Sequence, residues 1–305
     1  MPEPPRPPFL RQPAESPGAR LRAALAAPGV TLAPGAADPL TARLIEEAGF
    51  AVVYATGAGI SNVQLGMPDV GLATMDEVLR VVRAMAAVVA LPILADADTG
   101  YGNPINVMRT IREFERAGVA GIQLEDQITP KRCGHFEGKE VIPAEEMVAK
   151  LRAARFARTD PETVIVARTD AAATHGLDEA LRRARAYAEA GADAIFVEAP
   201  GSVEQMARIT HDVAGIPHLA NMVEGGKTPI LPAATLSELG FSLALYANFP
   251  LRAAMHAVRQ GLEHLHATGS SLGFEDRIVP WQERQAAVGL REVERLEHYF
   301  SGETL

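Results

Sequence analysis

The chain of 305 residues holds a single cysteine, and that residue stands in the segment PKRCGH, among Lys131, Arg132 and His135. Cationic neighbours lower the pKa of a nearby thiol, and a thiol so tuned can give up and recover a proton close to neutrality. A lone cysteine is more often a small buried hydrophobe, but so charged a segment makes a poor core. Gly134 allows the backbone to approach a ligand closely, and with Gly138 it brackets a loop long enough to close over a site and exclude water.

A second group of polar residues falls at the ends of short apolar runs. Asp96 and Asp98 end LPILADAD, Glu125 and Asp126 fall in GIQLEDQ, Arg168 and Asp170 in VIVARTD, Glu198 in AIFVEAP, and Asn221 and Glu224 in HLANMVEG. The run AVVYATG leads into Thr56, Gly57, Ala58 and Gly59, and Asp69 follows in the next loop. One such acid alone is usually a helix cap or a surface charge. Several that converge on one place repel one another unless a cation or a basic ligand lies among them. Hard oxygen donors without a histidine or thiolate cluster suit Mg²⁺ or Mn²⁺. Asp96 is the expected direct ligand, with Asp69, Asp98 and Glu125 holding metal-bound waters. The ATGAG stretch lacks the Walker lysine and the full dinucleotide spacing, so its N–H groups either cradle a carboxylate or merely form a tight turn.

Positioning these residues requires a particular scaffold. From residue 20 onward, eight β-rich runs alternate with longer segments of helical spacing, the pattern of βα units around a parallel sheet. The segments EEAGF, ERAGVAG, AEAGADAI and SELGFSL each place glycine where a helix stops and the next run begins. This predicts an α/β fold, a (β/α)₈ TIM-type barrel, whose strand C-termini form the active face; an open doubly wound sheet is the rival. The expected organisation is a Pro-rich tail over 1–20, the catalytic barrel over 21–265, and a helical extension over 266–305. The extension has an apolar stripe that needs an oligomer contact or a seat under its own barrel.

The formal net charge of −9 argues against nucleic acid, which requires a basic surface. No apolar run approaches the roughly 18 residues of a membrane span. One cysteine excludes an internal disulfide, and the first residues lack the apolar core of a secretory signal, so the expected compartment is the cytoplasm. Small molecules are the expected partners.

The segments EDQITPKRCGHFEGKEVI, GMPDVG, DADTGYGN, VARTDA and NMVEGGKTP resemble the isocitrate lyase / phosphoenolpyruvate mutase superfamily. Its smaller members, the 2-methylisocitrate lyases, 2,3-dimethylmalate lyases and carboxyphosphonoenolpyruvate phosphonomutases, are the most similar in pattern, from about Ala24 to past Leu251. The resemblance implies an α/β barrel with Mg²⁺ or Mn²⁺ held through Asp69, Asp96, Asp98 and Glu125. It implies that Thr56, Gly57 and Ala58 bind an α-keto acid carboxylate, with Arg168 at the same end. Cys133 matches the proton donor to a departing carbanion, Lys131, Gly134 and His135 match a gating loop, and Glu198, Asn221 and Thr228 match substrate positions. The implied activity is cleavage of a 2-hydroxy di- or tricarboxylic acid to pyruvate and a carboxylic acid, in a homotetramer with exchanged C-terminal helices. A phosphonomutase or an oxaloacetate hydrolase or decarboxylase on the same fold are alternatives, and a non-catalytic keto-acid-binding barrel is a remote one. Thr56 and Ala58, with LALYANFPLR after the eighth run, depart from the usual lyase pattern where they touch the pocket.

Overall fold

A computed structural model describes residues 15–132 and 138–301. Eight strands, β1 (Thr31–Ala36), β2 (Val53–Ala55), β3 (Ile93–Asp96), β4 (Gly121–Glu125), β5 (Val164–Thr169), β6 (Ala194–Val197), β7 (His218–Asn221) and β8 (Leu243–Tyr246), coincide with the eight expected runs. Each pairs in parallel with the next, and β8 pairs with β1 from Thr31 opposite Leu243 to Pro34 opposite Tyr246. Closure leaves no sheet edge, which excludes the open-sheet alternative.

The helices are α1 (Pro17–Ala26), α2 (Pro39–Glu47), the single turn α3 (Gly57–Ile60), α4 (Met75–Ala86), α5 (Pro104–Arg116), α6 (Ala144–Ala157), α7 (Ala171–His175), α8 (Leu177–Glu189), α9 (Val203–Asp212), α10 (Ala233–Glu238), α11 (Phe249–Thr268), α12 (Trp281–Ala287) and α13 (Leu290–Ser301). Their ends follow local chemistry. Thr74 and Glu77 close a capping box at α4, and Asn103 caps α5 ahead of Pro104. The four glycines expected at helix ends, Gly49, Gly118, Gly191 and Gly240, all take positive φ, between 82° and 104°, after α2, α5, α8 and α10. On α5 the stripe Val107, Thr110, Ile111 and Phe114 is buried against the barrel, each large apolar side chain contributing about 1.5–3 kcal/mol.

The N-terminal segment differs from the expected tail. Ser16 caps α1 and Pro17 opens it, so helix begins inside the stretch assigned to 1–20; residues 1–14 lie outside those described. Leu21 and Leu25 of α1 are buried in one cluster with Leu94, Val164 and Leu219, plugging the barrel. Gly18 makes this seat possible, because a Cβ there would collide with the Glu162 carbonyl. Beyond β8, α11 runs for 20 residues with none buried. No helix among the described residues is long and apolar enough to cross a membrane.

His218, at the start of β7, is buried. Its Nε2 lies 2.8 Å from the Val213 carbonyl, so Nε2 carries the proton, and Nδ1 has no partner. Burial pulls its pKa below the ordinary value, and the Val213 contact opposes this only in part. The folded state therefore binds this proton less readily than the unfolded chain. The resulting stability is full above about pH 6.5 and is lost as pH falls from there through the folded-state pKa. Melting curves from pH 7.5 to pH 5 should show this loss in the native protein and a shallower slope in His218→Gln; identical slopes would refute the assignment.

Candidate active site

The polar residues at the strand ends meet at one mouth, where the structure divides them into an acid-rich side on β3 and β4 and an arginine-centred side on β5 to β7. On the acid side, Asp96 Oδ1 accepts hydrogen bonds from the Asp98 N–H at 3.0 Å and from Gln123 Nε2 at 3.3 Å. The following loop is tightly wound: Asp98 and Tyr101 have φ of 48° and 58°, and Gly100 and Gly102 have φ of 84° and 143°. An aspartate tolerates that region better than most residues. The Asp98 carbonyl accepts from the Glu125 N–H at 2.8 Å, which ties the loop to β4.

Lys131 enters this side from the segment after β4. Its Nζ lies 2.5 Å from Asp69 Oδ1 and 2.8 Å from Asp98 Oδ1, and it is buried. Burial lowers its pKa, but Asp98, Glu125, Asp96 and Asp69 together raise it well above the ordinary value. Burial pushes Asp98 up to about 6 and Asp96 and Asp69 add to the rise, while Lys131 opposes it. Burial likewise pushes Glu125 well above the carboxylate range, against the pull of Arg168.

Among the described residues no group of three or more His, Cys, Asp or Glu side chains stands together as a metal cage; the Lys131 ammonium lies between Asp69 and Asp98 instead. The donor set nonetheless suits a hard divalent cation. Glu125 Oε1 is buried without a hydrogen-bond partner, and Asp98 Oδ1 has the ion pair alone. Gly57 leaves room beside the carboxylates, since a Cβ there would stand 2.9 Å from Asp96 Oδ2 and 3.4 Å from Asp98 Oδ1.

On the other side Arg168 is buried among three carboxylates, with Nε 2.9 Å from Asp170 and 3.3 Å from Glu125, and Nη2 4.0 Å from Glu198. Its guanidinium also lies over the Phe196 ring, 5.2 Å from the centroid. The Asn221 amide faces both Glu198 oxygens at 3.4 Å. Thr56, Ala58, Asp69, Asp96, Lys131, Arg168, Glu198 and Asn221 line one cavity. Its volume is about 30 Å³, more than the roughly 10–15 Å³ that one water needs on the same measure.

The expected residues thus fall into groups. Thr56 lines the cavity, but its hydroxyl accepts from the Gly59 N–H at 3.3 Å, so ATGAG is a capped turn as well as a wall. Thr228 is buried, yet it is not among the residues that line the cavity. Cys133, Gly134 and His135 lie outside the described residues. Asp126 and Glu224, also strand-end acids, serve elsewhere: Glu224 pairs with Arg252 at 3.1 Å on the surface. Asp126 turns away from the mouth to accept from Thr169 Oγ1 (2.7 Å), the Asp170 N–H (2.9 Å), Tyr187 (2.8 Å) and Arg183 (3.1 Å).

Sequence reasoning passed over Gln123, Tyr54 and Asn248. Gln123 could have been found, because it shares a face of β4 with Glu125 at the strand period of two. Tyr54 lines the cavity beneath it, with its hydroxyl 3.4 Å from Gln123 Oε1, but in the sequence it is one apolar strand residue among others.

Residues 21–266 match the phosphoenolpyruvate phosphomutase family profile. The chain is 46% identical over 283 residues to the 2,3-dimethylmalate lyase of Eubacterium barkeri, covering 93% of this chain and 98% of that one. The chain belongs to the isocitrate lyase / phosphoenolpyruvate mutase superfamily. Within it, a probable 2-methylisocitrate lyase of Corynebacterium glutamicum is 49% identical over 258 residues, covering 85% and 83% of the two chains. A solved 2,3-dimethylmalate lyase, described as a superfamily member, superposes with a TM-score of 0.88 at 37% identity over 96% of this chain and all of its own. A phosphonopyruvate hydrolase solved with oxalate and Mg²⁺ superposes with a TM-score of 0.84 at 31% identity over 93% and 98%.

Behind this superfamily mouth, Asp126 fixes Asp170 and so the arginine in front of it. Asp126→Ala would leave the Arg183 guanidinium without one of its two carboxylate partners, Glu179 at 2.8 Å being the other. It would also strand three further donors. A stability loss on the order of 3 kcal/mol is expected in urea unfolding; a loss below about 1 kcal/mol would show that the network does not hold the barrel.

Proposed function

We propose that this superfamily member is a Mg²⁺- or Mn²⁺-dependent carbon–carbon lyase that cleaves a 2-hydroxy di- or tricarboxylic acid, of the 2-methylisocitrate or 2,3-dimethylmalate type, to pyruvate and a carboxylic acid. One observation carries the reading. A single mouth sets Asp96, Asp98 and Glu125, the last with a buried oxygen that has no hydrogen-bond partner, beside a buried arginine, Arg168. That pairing suits a ligand that presents oxygens to a cation and a carboxylate to a guanidinium. The names of the relatives give the reaction class.

Asp96 would hold the metal directly, with Asp69, Asp98 and Glu125 around its waters; when bound, the ion supplies a Lewis acid for the substrate's hydroxyl and carboxylate oxygens. Arg168, braced by three carboxylates, orients the substrate carboxylate, and the backbone of Thr56, Gly57 and Ala58, beside Asp96, offers N–H groups to the same ligand. Asn221 steadies Glu198 against the substrate. The C2 hydroxyl gives its proton to Glu198, a carboxylate of the cavity wall, as the C2–C3 bond breaks and C2 becomes the carbonyl carbon of pyruvate. The bond's electron pair stays on C3, and the Cys133 thiol returns a proton to that carbon. Lys131 and His135 flank Cys133 in the sequence and supply the positive charge that would tune the thiol.

The assembly we propose is a homotetramer with exchanged C-terminal helices. On α11, Met255, Val258, Leu262 and Leu265 form a heptad-spaced stripe, and all four are exposed. A second copy of the same helix segment supplies the matching apolar surface. We place the enzyme in the cytoplasm on its single thiol.

Pyruvate release, followed with lactate dehydrogenase, is expected from 2-methylisocitrate or 2,3-dimethylmalate, to stop on chelation and to return with Mg²⁺. Cys133→Ala should lower kcat by at least about 100-fold while oxalate still binds; full activity would sink the proton-donor role. If no acid yields pyruvate but a phosphonate substrate rearranges by phosphorus NMR, the phosphonomutase reading replaces this one. For the assembly, light scattering should report a tetramer that Leu262→Glu reduces to smaller species, whereas a native monomer would refute it.

A further inference from the structure

Asn248 lines the cavity at the turn between β8 and α11 and has no evident structural task. It occupies the N-cap position of a 20-residue helix, where an asparagine side chain normally accepts from the first helical N–H groups. Here it makes no such bond, although its carbonyl accepts from the Arg252 N–H at 3.0 Å. Its Oδ1 is buried and has no hydrogen-bond partner. Leaving a buried carboxamide oxygen unmatched costs free energy that a structural role would have recovered.

The turn itself is fixed. Gly35 on β1 lies so close that a Cβ there would collide with the Ala247 carbonyl, and β8 pairs with β1 up to Tyr246. Asn248 is therefore held rigidly while its side chain is unspent. Asn221, on the neighbouring β7, differs: its N–H₂ is oriented by Glu198. In a closed eight-strand barrel β7 and β8 stand across from β3 and β4, so Asn248 faces the side of a ligand turned away from Asp96.

We propose that Asn248 is a specificity-determining residue that hydrogen-bonds a carboxylate on the part of the substrate remote from Asp96. This rests on the lyase reading for its substrate class and selects, within that class, the acid with an additional carboxylate over the one with only alkyl groups there. A carboxamide suits the task because either end can be turned to the ligand, and it adds no charge to a mouth whose cations already answer to acids. An apolar side chain at this place would favour the alkyl substituent instead.

Two probes that are not cleaved separate this assignment from the reaction: tricarballylate, with three carboxylates, and oxalate, which spans only the keto-acid end. In calorimetric titrations with Mg²⁺, Asn248→Leu should weaken tricarballylate by about 10- to 100-fold and leave oxalate within about twofold. Asn248→Asp, which sets a negative charge against the carboxylate, should weaken tricarballylate at least as much. In turnover, the preference of kcat/KM for 2-methylisocitrate over 2,3-dimethylmalate should fall by a similar factor in Asn248→Leu. Equal loss of both probes, unchanged tricarballylate binding in either variant, or no tricarballylate binding by the native protein would overturn the assignment. Native protein that binds tricarballylate through Asn248 yet releases pyruvate from no acid would overturn the lyase reading alone.

Discussion

Arg168 is the residue on which the mouth depends. Standing at the end of β5, it faces Glu125 on β4 and Glu198 on β6, with Asp170 two residues farther on. Burial alone would strip charge from these carboxylates, and a guanidinium among them keeps the cluster from flying apart. Its own position is set from behind. Asp170 is pulled down to about 2, burial notwithstanding, by Arg168 and Lys139, the latter at 2.6 Å. The Asp170 N–H is in turn gripped by Asp126, which Arg183 and Tyr187 of α8 hold. A line of buried hydrogen bonds thus runs from an outer helix through the barrel wall to the mouth, so the fold's stability and the site's geometry are one problem.

The acid side is less well compensated. Lys131 answers Asp69 and Asp98, but Glu125 keeps an unpartnered oxygen and Asp98 remains shifted upward. The loop that presents Asp98 also has left-handed backbone at two non-glycine residues, each costing on the order of 1 kcal/mol. Strain and unbalanced charge in the same few residues mark a place where local stability has been given up for something other than folding.

This division explains what could be read from the sequence. The eight strands and the glycine-terminated helices were legible because each depends on local chemistry: apolar runs, caps and positive φ. Asp96, Glu125, Arg168, Glu198 and Asn221 were legible as mouth residues because a parallel barrel leaves few places for charge at strand ends. Asp126 was not separable from Glu125, since adjacent strand residues face opposite sides and only the partners on α8 show which one faces out. The start of α1 was obscured by the prolines before it, although Ser16 and Pro17 carry a helix-start signature. Asn248 was visible only as part of a departure from the family pattern; its unspent carboxamide is a property of packing.

The segment from Lys131 to Lys139 ties these threads together. Lys131 is bound to Asp69 and Asp98, Lys139 to Asp170, and the Gln127 side chain both donates to the Arg132 carbonyl and accepts from its N–H, at 2.8 and 2.9 Å. Outside these ties, Ile128 and Ile142 donate to the Glu140 and Asp126 carbonyls. Lys131 and Lys139, on either side of Cys133 in the sequence, are thus each held by carboxylates of the mouth and its support. Coulomb attraction at such contacts depends on the full charge of each partner. Positive charge brought to Asp69 and Asp98 from a ligand competes with Lys131, while negative charge brought to Arg168 competes with Asp170 for the same guanidinium.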